Sequence, residues 1–330
     1  MKVTRSETEA IRLHEHGGPE VLRLEDVPLA APGAGEVLVR HEAIGLNFID
    51  TYFRTGLYPA TLPTGLGNEA AGTVEAVGPG VGDFRVGDRV GYFTGPLGSY
   101  AKHRIVGAES LVKLPDEITF EQAAAAMLKG CTAEYLVERC ANVRSGDKVL
   151  IQAAAGGVGT ILVQWLKAIG ATVIAHSGDA RKAALAAELG AHHSLHCSMD
   201  ELPAQVLALT SGAGVGTVFD GVGAVSWQAS LRSLSRRGLL VTFGNASGPV
   251  PPFTAIDLMR AGSVFVTRPT LADYCSTTVE MRSSAARLFD MLSTAQIKVQ
   301  IGRSYPLSDV RSAHRALEQR ATTGSTLLLP

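Results

Sequence analysis

The sequence contains few cysteines, and they are scattered. Four of its 330 residues are cysteine, at positions 131, 140, 197 and 275, and no two of them form a C-x-x-C pair. This distribution is typical of a reducing compartment and argues against a disulfide framework or a structural zinc lobe. Net charge is also nearly absent, at −1 with the histidines neutral. Such a chain has no general electrostatic attraction to nucleic acid or to an anionic membrane.

Long apolar runs are missing as well. No stretch approaches the length of an uninterrupted apolar membrane span. The N-terminal stretch MKVTRSETEAIRLHEHGG carries charges where a signal peptide needs an apolar run. We therefore expect a soluble cytoplasmic protein that makes no contact with a membrane.

The residue composition and the predicted secondary structure change along the chain. A length of 330 residues predicts two domains. Up to about residue 115, short strands such as EVLVRHEAIGL stand between turns rich in glycine and proline. Thr119 and Gln122 then predict a capping box that opens an alanine-rich helix through Ala126. Residues 1–127 are therefore predicted to form a β-rich, partly barrel-like domain.

Helical segments and apolar strands alternate from residue 128 to residue 266. The predicted strands cover 148–152, 172–176, 194–196, 216–220, 239–243 and 263–266. Parallel strands with helical crossovers describe an α/β fold with a doubly wound, Rossmann-type sheet, which binds a nucleotide at its switch point. Residues 267–330 contain predicted helices near 283–293 and 308–320 and the terminal strand STLLLP. This last segment is expected to return to the first domain.

A turn of small residues follows the first of these parallel strands. It consists of Ala154, Gly156, Gly157, Val158 and Gly159, within the stretch AAAGGVG. The turn matches the pattern G-x-G-x-x-G with alanine in the first place, so the backbone can approach a pyrophosphate at the helix N-terminus. A glycine-rich turn can also serve only as a turn. The order strand, turn, helix, strand favours a dinucleotide site.

The end of the next strand predicts which nicotinamide nucleotide binds. NAD-specific sites carry Asp or Glu at this place, and here the stretch VIAHSGDARK has Ser177. Ser177 can hydrogen-bond a 2′-phosphate, and Arg181 and Lys182 can supply positive charge. We therefore expect NADPH. Asp179 opposes this expectation, since its charge repels a phosphate and suits an unphosphorylated ribose, and the two basic residues also fit a solvated first helical turn.

Seven segments, in order along the chain, carry a resemblance to a known family. They are HGGPEVL, AIGLNFIDTYFRTGLYP, GNEAAGTVEAVG, LKGCTAEYL, AAAGGVG, RRGLLVTFGN and RATTGSTLLLP. The chain resembles the zinc-independent quinone oxidoreductases, the zeta-crystallin-like branch of the medium-chain dehydrogenase/reductase superfamily. The resemblance implies a GroES-like catalytic domain beside the Rossmann domain, NADPH as the cofactor, and quinone reductase activity.

The resemblance also implies a set of site residues. It places Asn47, Phe48, Asp50 and Tyr52 in a cleft near the nicotinamide, with Asn47, Asp50 and Tyr52 as the catalytic candidates. It adds further cofactor contacts from Lys129, Thr132, Phe243, Gly244, Asn245 and Arg320. Structural roles are the alternatives: Asn47 and Asp50 as helix caps, Lys129 as a solvated lysine, and Arg320 as a surface residue.

The same resemblance predicts that no metal is bound. Zinc-dependent relatives have a cysteine ligand where this chain has Asn47, and a G-H-E motif where it has Gly67-Asn68-Glu69. An asparagine amide is a poor zinc ligand beside thiolate or imidazole. Other metal candidates, His192, His193 and His196, fall at the third predicted strand of the Rossmann sheet, where ordinary packed or solvated histidines are expected.

The leading functional prediction is an NADPH-dependent quinone reductase that acts on a small-molecule quinone. One alternative is reduction of an activated C=C bond in an enone or enoyl substrate. Another is a non-catalytic RNA-binding role, which the lack of a basic composition disfavours. The apolar stretch GSVFVTRP, last in the predicted sheet, would expose its edge, and it predicts a homodimer through that edge.

Overall fold

The computed structural model describes residues 6–330, so the first part of the charged N-terminal stretch, residues 1–5, lies outside the described residues. The chain divides into two compact units. Unit 1 contains the residues up to Cys131, Cys275–Ser293 and Val299–Pro330. Unit 2 contains Thr132–Tyr274 and Thr294–Lys298. The sequence-based domain limits of 1–127, 128–266 and 267–330 stay a prediction beside this division.

The described residues form sixteen strands and ten α-helices. The strands are β1 Glu7–Leu13, β2 Leu22–Pro28, β3 Glu36–Leu46, β4 Thr64–Gly65, β5 Glu69–Val77, β6 Arg89–Tyr92, β7 His103–Gly107, β8 Val112–Lys113, β9 Lys148–Ile151, β10 Thr172–His176, β11 His193–Leu195, β12 Val215–Asp220, β13 Leu234–Thr242, β14 Phe265–Thr267, β15 Ile301–Pro306 and β16 Ser325–Leu329. The α-helices are α1 Phe48–Thr55, α2 Phe120–Glu134, α3 Gly157–Ala168, α4 Ala180–Glu188, α5 Leu202–Leu209, α6 Trp227–Arg232, α7 Ala255–Arg260, α8 Leu271–Tyr274, α9 Thr278–Ser293 and α10 Val310–Glu318.

Unit 1 is built around β3. This strand pairs antiparallel with β5, β7 and β16 in a mixed sheet, and β1 joins β2 and β4 in a smaller one. Val37, Val39 and Ile44 of β3 are fully buried in the apolar core of the unit. Because β3 ends at Leu46 and α1 begins two residues later, the strand places Asn47 at the start of a helix.

Unit 2 is built around a parallel sheet. The strand order is β11-β10-β9-β12-β13-β14, and every neighbouring pair in it is parallel. The chain moves outward from β9 to β11, then returns to the other side of β9 with β12. The carboxyl ends of β9 and β12 therefore flank the switch point, where such sheets bind ligands. The predicted α/β fold with a doubly wound parallel sheet is confirmed.

The helix α2 is longer than its sequence pattern predicted. The capping box is present, since the Thr119 N–H donates to Gln122 Oε1 at 2.9 Å and the Gln122 N–H donates to Thr119 Oγ1 at 3.1 Å. The helix continues past Ala126 to Glu134, so Lys129 and Thr132 lie on it rather than after it. A Cβ on Gly130 would stand 2.4 Å from Leu288 Cδ1. That glycine therefore serves helix packing and does not end the helix.

The remaining boundaries shift by a few residues. The helix after the small-residue turn begins at Gly157, and the last helix ends at Glu318. Arg320 consequently lies beyond the helix, with a φ of 56° and an exposed side chain. Among residues 6–330, no helix combines the length and the apolar character that a membrane crossing needs.

Candidate active site

The first candidate residues stand at the start of α1 in unit 1. Asn47 is the N-cap, and its backbone N–H donates to Asp50 Oδ2 at 2.9 Å. The helix ends before Tyr58, at Gly56, whose φ of 80° is the left-handed conformation that glycine adopts without strain. The capping role of Asn47 and Asp50 is therefore confirmed. Both side chains also contact residues from other parts of the chain.

A buried carboxylate, Glu69, binds Asn47 and Lys129. Its Oε2 accepts hydrogen bonds from Asn47 Nδ2 at 2.9 Å and from Lys129 Nζ at 3.2 Å. Its Oε1 accepts from the N–H of Leu128 at 2.6 Å. Glu69 is 0% exposed and Lys129 is 4% exposed. The alternative of Lys129 as a solvated lysine is therefore wrong.

Asp50 is the second buried carboxylate of unit 1. Besides the Asn47 N–H, it accepts from the Tyr100 hydroxyl at 2.7 Å and from Asn68 Nδ2 at 2.9 Å. Burial raises the pKa of Asp50 to about 6, and these donors, together with the charge of Lys129, oppose the rise. Three hydrogen bonds thus fix the orientation of this carboxyl group.

The two carboxylates decide which way two asparagine amides point. An ionised carboxylate only accepts hydrogen bonds, so an amide that faces it must present its NH₂ group. Asn47 faces Glu69 in this way, and Asn68 faces Asp50. The carbonyl oxygen of Asn47 is thereby placed to accept from the Asp50 N–H in the capping box of α1, with its second lone pair open to a ligand. The sequence indicated Asn68 only as a position unsuited to a zinc ligand, and its contact with Asp50 was not predicted.

A further chain of polar contacts ties α1 to α10. Tyr100 Oη lies 3.3 Å from His314 Nε2, and Arg54 Nη1 lies 2.9 Å from His314 Nδ1. Arg54 also forms an ion pair with Glu318. Arginine only donates, so His314 is the neutral tautomer with its proton on Nε2. Burial and the Arg54 charge lower the pKa of His314 to about 3. Sequence reasoning missed this network because its partners lie far apart in the chain.

Tyr52 and Phe48 share one face of α1, as residues four apart on a helix do. Their ring centroids are 5.7 Å apart, and the Tyr52 ring also contacts Tyr58 at 5.1 Å. Tyr52 is buried, whereas Phe48 is half-buried. Helix α1 thus carries an aromatic pair beside the polar cluster of Asn47 and Asp50.

In unit 2, the small-residue turn joins β9 to α3. The N–H of Ala154 donates to the carbonyl of His176 at 3.0 Å, and Gly156 is the N-cap of the helix. A Cβ on Gly159 would stand 2.3 Å from the carbonyl oxygen of Ala153. Only glycine allows the helix to start this close to the turn. Gly157 and Val158 form the first helical residues, whose N–H groups have no partner within the helix and suit a phosphate.

The end of β10 carries the residues predicted to recognise a 2′-phosphate. Ser177 is 2% exposed, and its Oγ makes no hydrogen bond among the described residues. Asp179 caps α4 by accepting from the N–H of Lys182 at 2.8 Å, and its carboxylate lies 3.7 Å from Lys182 Nζ. Arg181 is exposed in the first turn of the same helix. Serine and the two basic residues therefore stand together at one strand end.

Phe243, Gly244 and Asn245 follow the carboxyl end of β13, as predicted. The reason for glycine is local, since a Cβ on Gly244 would stand 2.4 Å from the carbonyl oxygen of Gly221. The preceding residue, Thr242, is buried, and its Oγ1 makes no hydrogen bond in the described part of the chain. Among residues 6–330, the buried hydroxyls of Ser177 and Thr242 thus have no hydrogen-bond partner, and both lie at carboxyl ends of strands in this sheet.

Comparison with known proteins gives consistent matches along the whole chain. The alcohol dehydrogenase GroES-like domain family matches residues 33–116, and the zinc-binding dehydrogenase family matches residues 157–290. A quinone oxidoreductase of Pseudomonas aeruginosa is 48% identical over 97% of this chain and 99% of that protein. The crystal structure of Escherichia coli quinone oxidoreductase complexed with NADPH is similar with a TM-score of 0.95, at 44% identity over 98% of this chain and 100% of that one.

The chain belongs to the quinone oxidoreductase family of the medium-chain dehydrogenase/reductase superfamily. A 2-haloacrylate reductase of Burkholderia sp is also similar, at 41% identity over 96% of this chain and 98% of that protein. The family resemblance and the GroES-like domain predicted from the sequence are thereby confirmed.

In this member of the quinone oxidoreductases, asparagines occupy the positions of two zinc ligands. The two positions that correspond to zinc ligands in zinc-dependent relatives, Asn47 and Asn68, both use their NH₂ groups on carboxylates. Within residues 6–330, no group of three or more His, Cys, Asp or Glu side chains is arranged to hold a metal ion. At the third strand of the parallel sheet, His192 Nδ1 accepts from the N–H of Val173 at 3.1 Å. The donor set therefore does not fit zinc.

Proposed function

We propose that this protein is an NADPH-dependent quinone reductase that works without a metal. The observation that carries the proposal is the near-full-length similarity to quinone oxidoreductases, at 48% and 44% identity. The structural relative from Escherichia coli is a complex with NADPH. Each unit, taken by itself, carries candidate residues whose chemistry suits a part of NADPH.

Unit 2 offers groups that fit the phosphates of NADPH. The turn from Ala154 to Gly159 ends at the N-terminus of α3, whose first N–H groups suit a pyrophosphate. The partnerless Ser177 hydroxyl suits the 2′-phosphate, with positive charge from Arg181 and Lys182. Further contacts are assigned to Thr132, Phe243, Gly244 and Asn245 in this unit. NADPH, when bound, supplies a hydride to the acceptor.

Unit 1 offers groups that fit the nicotinamide and the acceptor. The Asn47 carbonyl, aimed by the bond from its NH₂ group to Glu69, suits the NH₂ group of a carboxamide. Phe48 and Tyr52 supply an aromatic surface, and Asp50 holds the Asn47 backbone in place. Lys129 and Arg320 complete the assigned contacts. The catalytic assignment is Asn47, Asp50 and Tyr52, which position the reactants.

Reduction of an activated C=C bond is the second candidate. The observation that favours it is the 41% identity to a 2-haloacrylate reductase. Reduction of an enone and reduction of a quinone both need an acceptor held in position against a hydride donor, so the same residues would serve both reactions. The two candidates differ only in the acceptor.

A steady-state assay separates these candidates. NADPH oxidation is measured with a panel of quinones, enones and a 2-haloacrylate, each with and without a chelator. We expect the highest kcat/KM with a quinone, a preference for NADPH over NADH, and no effect of chelation. Turnover of enones or haloacrylate alone would favour the second candidate. Loss of activity on chelation, restored by stoichiometric zinc, would overturn the metal-free proposal.

The proposal includes a homodimer through the edge of the parallel sheet. Strand β14 ends the sheet, and its Phe265 is 61% exposed. Helix α7 adds two exposed apolar side chains, Met259 and Ile256. A bare strand edge beside exposed apolar groups is stabilised by pairing with a second copy about a two-fold axis. Sedimentation is expected to show a dimer, and a stable monomer at micromolar concentration would contradict it.

A further inference from the structure

The Lys129 ammonium has more hydrogen-bond donors than partners. An ammonium carries three N–H donors. One of them is used by Glu69 Oε2, at 3.2 Å, and the described residues provide no second hydrogen-bond acceptor for Nζ. The side chain is only 6% exposed, so bulk water cannot serve the remaining donors freely. Buried donors without partners are costly, and a site that keeps them holds them ready for a ligand.

Glu69 holds the Lys129 ammonium in one position but accepts only one of its N–H donors. The carboxylate accepts from Lys129, from Asn47 Nδ2 and from the Leu128 N–H, so its lone pairs are shared among three donors. Leu128 and Lys129 are adjacent on α2, so both ends of the carboxylate bind one helical turn. The position of the ammonium is therefore set before any ligand arrives. A preorganised donor of this kind acts most strongly on charge that develops during a reaction.

Lys129 lies in the same polar network as the candidate catalytic residues Asn47 and Asp50. Its neighbours in the network are the side chain of Asn47 and, through electrostatics, the carboxyl group of Asp50. Asn47 presents a carbonyl oxygen, which cannot stabilise an anion. Lys129 is thus the positive group among the candidate catalytic residues of unit 1, and it is bound to one of them through a shared carboxylate.

We propose that Lys129 is a catalytic residue that donates a hydrogen bond to the acceptor oxygen on which negative charge develops. This inference rests on the reductase function proposed above, and it moves Lys129 from the cofactor contacts to the acceptor. Quinone reduction by hydride transfer adds two electrons and one hydrogen to the acceptor and leaves one negative charge on a ring oxygen. The hydrogen bond from Lys129 stabilises that oxyanion, and a proton from water then completes the hydroquinone. Lys129 itself stays protonated.

The first test uses binding and does not require turnover. A nitrophenol is titrated into the cofactor-free protein, because its coloured anion carries the charge on oxygen that the reduced acceptor would carry. We expect the wild type to bind the phenolate in preference to the phenol. Lys129→Met should weaken phenolate binding at least about tenfold, as expected for the loss of a charge-assisted hydrogen bond. Lys129→Arg should restore part of it.

The second test uses acceptors of different strength. Weakly oxidising quinones and enones depend more on stabilisation of the developing oxyanion than strongly oxidising quinones do. Lys129→Met should therefore lower kcat/KM by about a hundredfold for the weakest acceptor and by only about tenfold for the strongest. The matched control is Lys102→Met, which removes an exposed lysine of unit 1 that pairs with Glu9. It should leave both measurements unchanged.

The outcomes are separable. A loss of equal size for every acceptor, together with unchanged phenolate binding, would overturn the proposal and return Lys129 to the cofactor. Failure of the wild type to bind the phenolate would also overturn it. If Lys129→Met does not fold, the double variant Glu69→Gln, Lys129→Met removes both charges and takes its place. If phenolate binding depends on Lys129 but no acceptor is reduced, the oxyanion site stands and the reductase function fails.

Discussion

The candidate residues of unit 1 are joined to one another by hydrogen bonds, whereas those described in unit 2 include a buried side chain that makes none. In unit 1, Glu69 holds Asn47 and Lys129, and Asp50 is held by Tyr100 and Asn68. In unit 2, the buried hydroxyl of Ser177 makes no hydrogen bond in the described chain. The difference indicates that the polar cluster of unit 1 is held by the fold itself, whereas the strand end in unit 2 is the place where we propose that a ligand supplies the missing hydrogen bond. Substitutions in unit 1 should therefore cost stability together with activity, and those in unit 2 should mainly cost cofactor binding.

The largest effect is expected at Glu69. Replacing it with alanine leaves the Lys129 ammonium buried without its counter-charge, which should lower the free energy of unfolding by about 3–5 kcal/mol. Chemical denaturation measures this loss. Glu42→Ala is the matched control, because Glu42 on β3 forms a more exposed ion pair with Arg40. It should cost less than about 1 kcal/mol. If Glu69→Ala and Glu42→Ala both lowered the free energy of unfolding by the same small amount, the polar cluster of unit 1 would not be needed for stability.

The next effect is expected in unit 2, at Lys182. Lys182→Ala removes a positive charge from the predicted 2′-phosphate site, at about 1.5–3 kcal/mol, which is roughly ten- to a hundredfold in affinity for NADPH. NADH, which has no 2′-phosphate, should be affected little. The measurement is kcat/KM for both nucleotides. The control is Lys148→Ala, at the amino end of β9 and away from the carboxyl end where the small-residue turn begins. Equal losses for NADPH and NADH would contradict the assignment.

A third effect depends on pH and belongs to unit 1. The pKa of His314 is lowered to about 3, so between about pH 6.5 and pH 3 the unfolded chain binds a proton that the folded protein does not. Stability should therefore fall as the pH falls, and His314 alone should account for about 2 kcal/mol by pH 5. His314→Gln keeps one acceptor for Arg54 and one donor for Tyr100 and should flatten this part of the stability profile. An unchanged profile would show that His314 is protonated in the folded protein.

The smallest effect is expected at Ser177. Ser177→Ala removes a buried hydroxyl without a partner, so the free energy of unfolding should stay within about 1 kcal/mol of the wild type. The preference for NADPH over NADH should fall by about fivefold. Ser194→Ala removes another buried hydroxyl that makes no hydrogen bond among the described residues, on the neighbouring strand β11, and should leave that preference unchanged. A marked loss of stability in Ser177→Ala would show that the hydroxyl is already bonded within the protein.

Local patterns predicted most of the fold. The parallel strands, the small-residue turn and the Thr119–Gln122 capping box are encoded by residues close in sequence, and each is present in the structure. The length of α2 was not predictable in this way, because Gly130 is explained by Leu288, a residue of α9. The capping of α1 by Asn47 and Asp50 was considered from the sequence. The contacts of the same side chains with Glu69 and Tyr100 depend on tertiary structure.

Sequence patterns did not predict which charged and polar side chains pair with each other. Lys129 and Glu69 are separated by about sixty positions, and Arg54 and His314 by more than two hundred and fifty. No periodicity links such residues. From the sequence, a solvated group was the alternative for Lys129, and only the fold shows that this lysine is buried and paired with Glu69.

The discontinuity of unit 1 has a consequence for how the protein is made. Strand β3 pairs with β16, which is translated last, and the buried Arg54 of α1 meets His314 and Glu318 only when α10 has left the ribosome. Nearly all of unit 2, by contrast, is translated before Tyr274. The nascent chain can therefore complete its parallel sheet while β3 still has an open edge and Arg54 still lacks its counter-charge. A chain released early, before α10, would expose that strand edge and is the form most at risk of aggregation during synthesis.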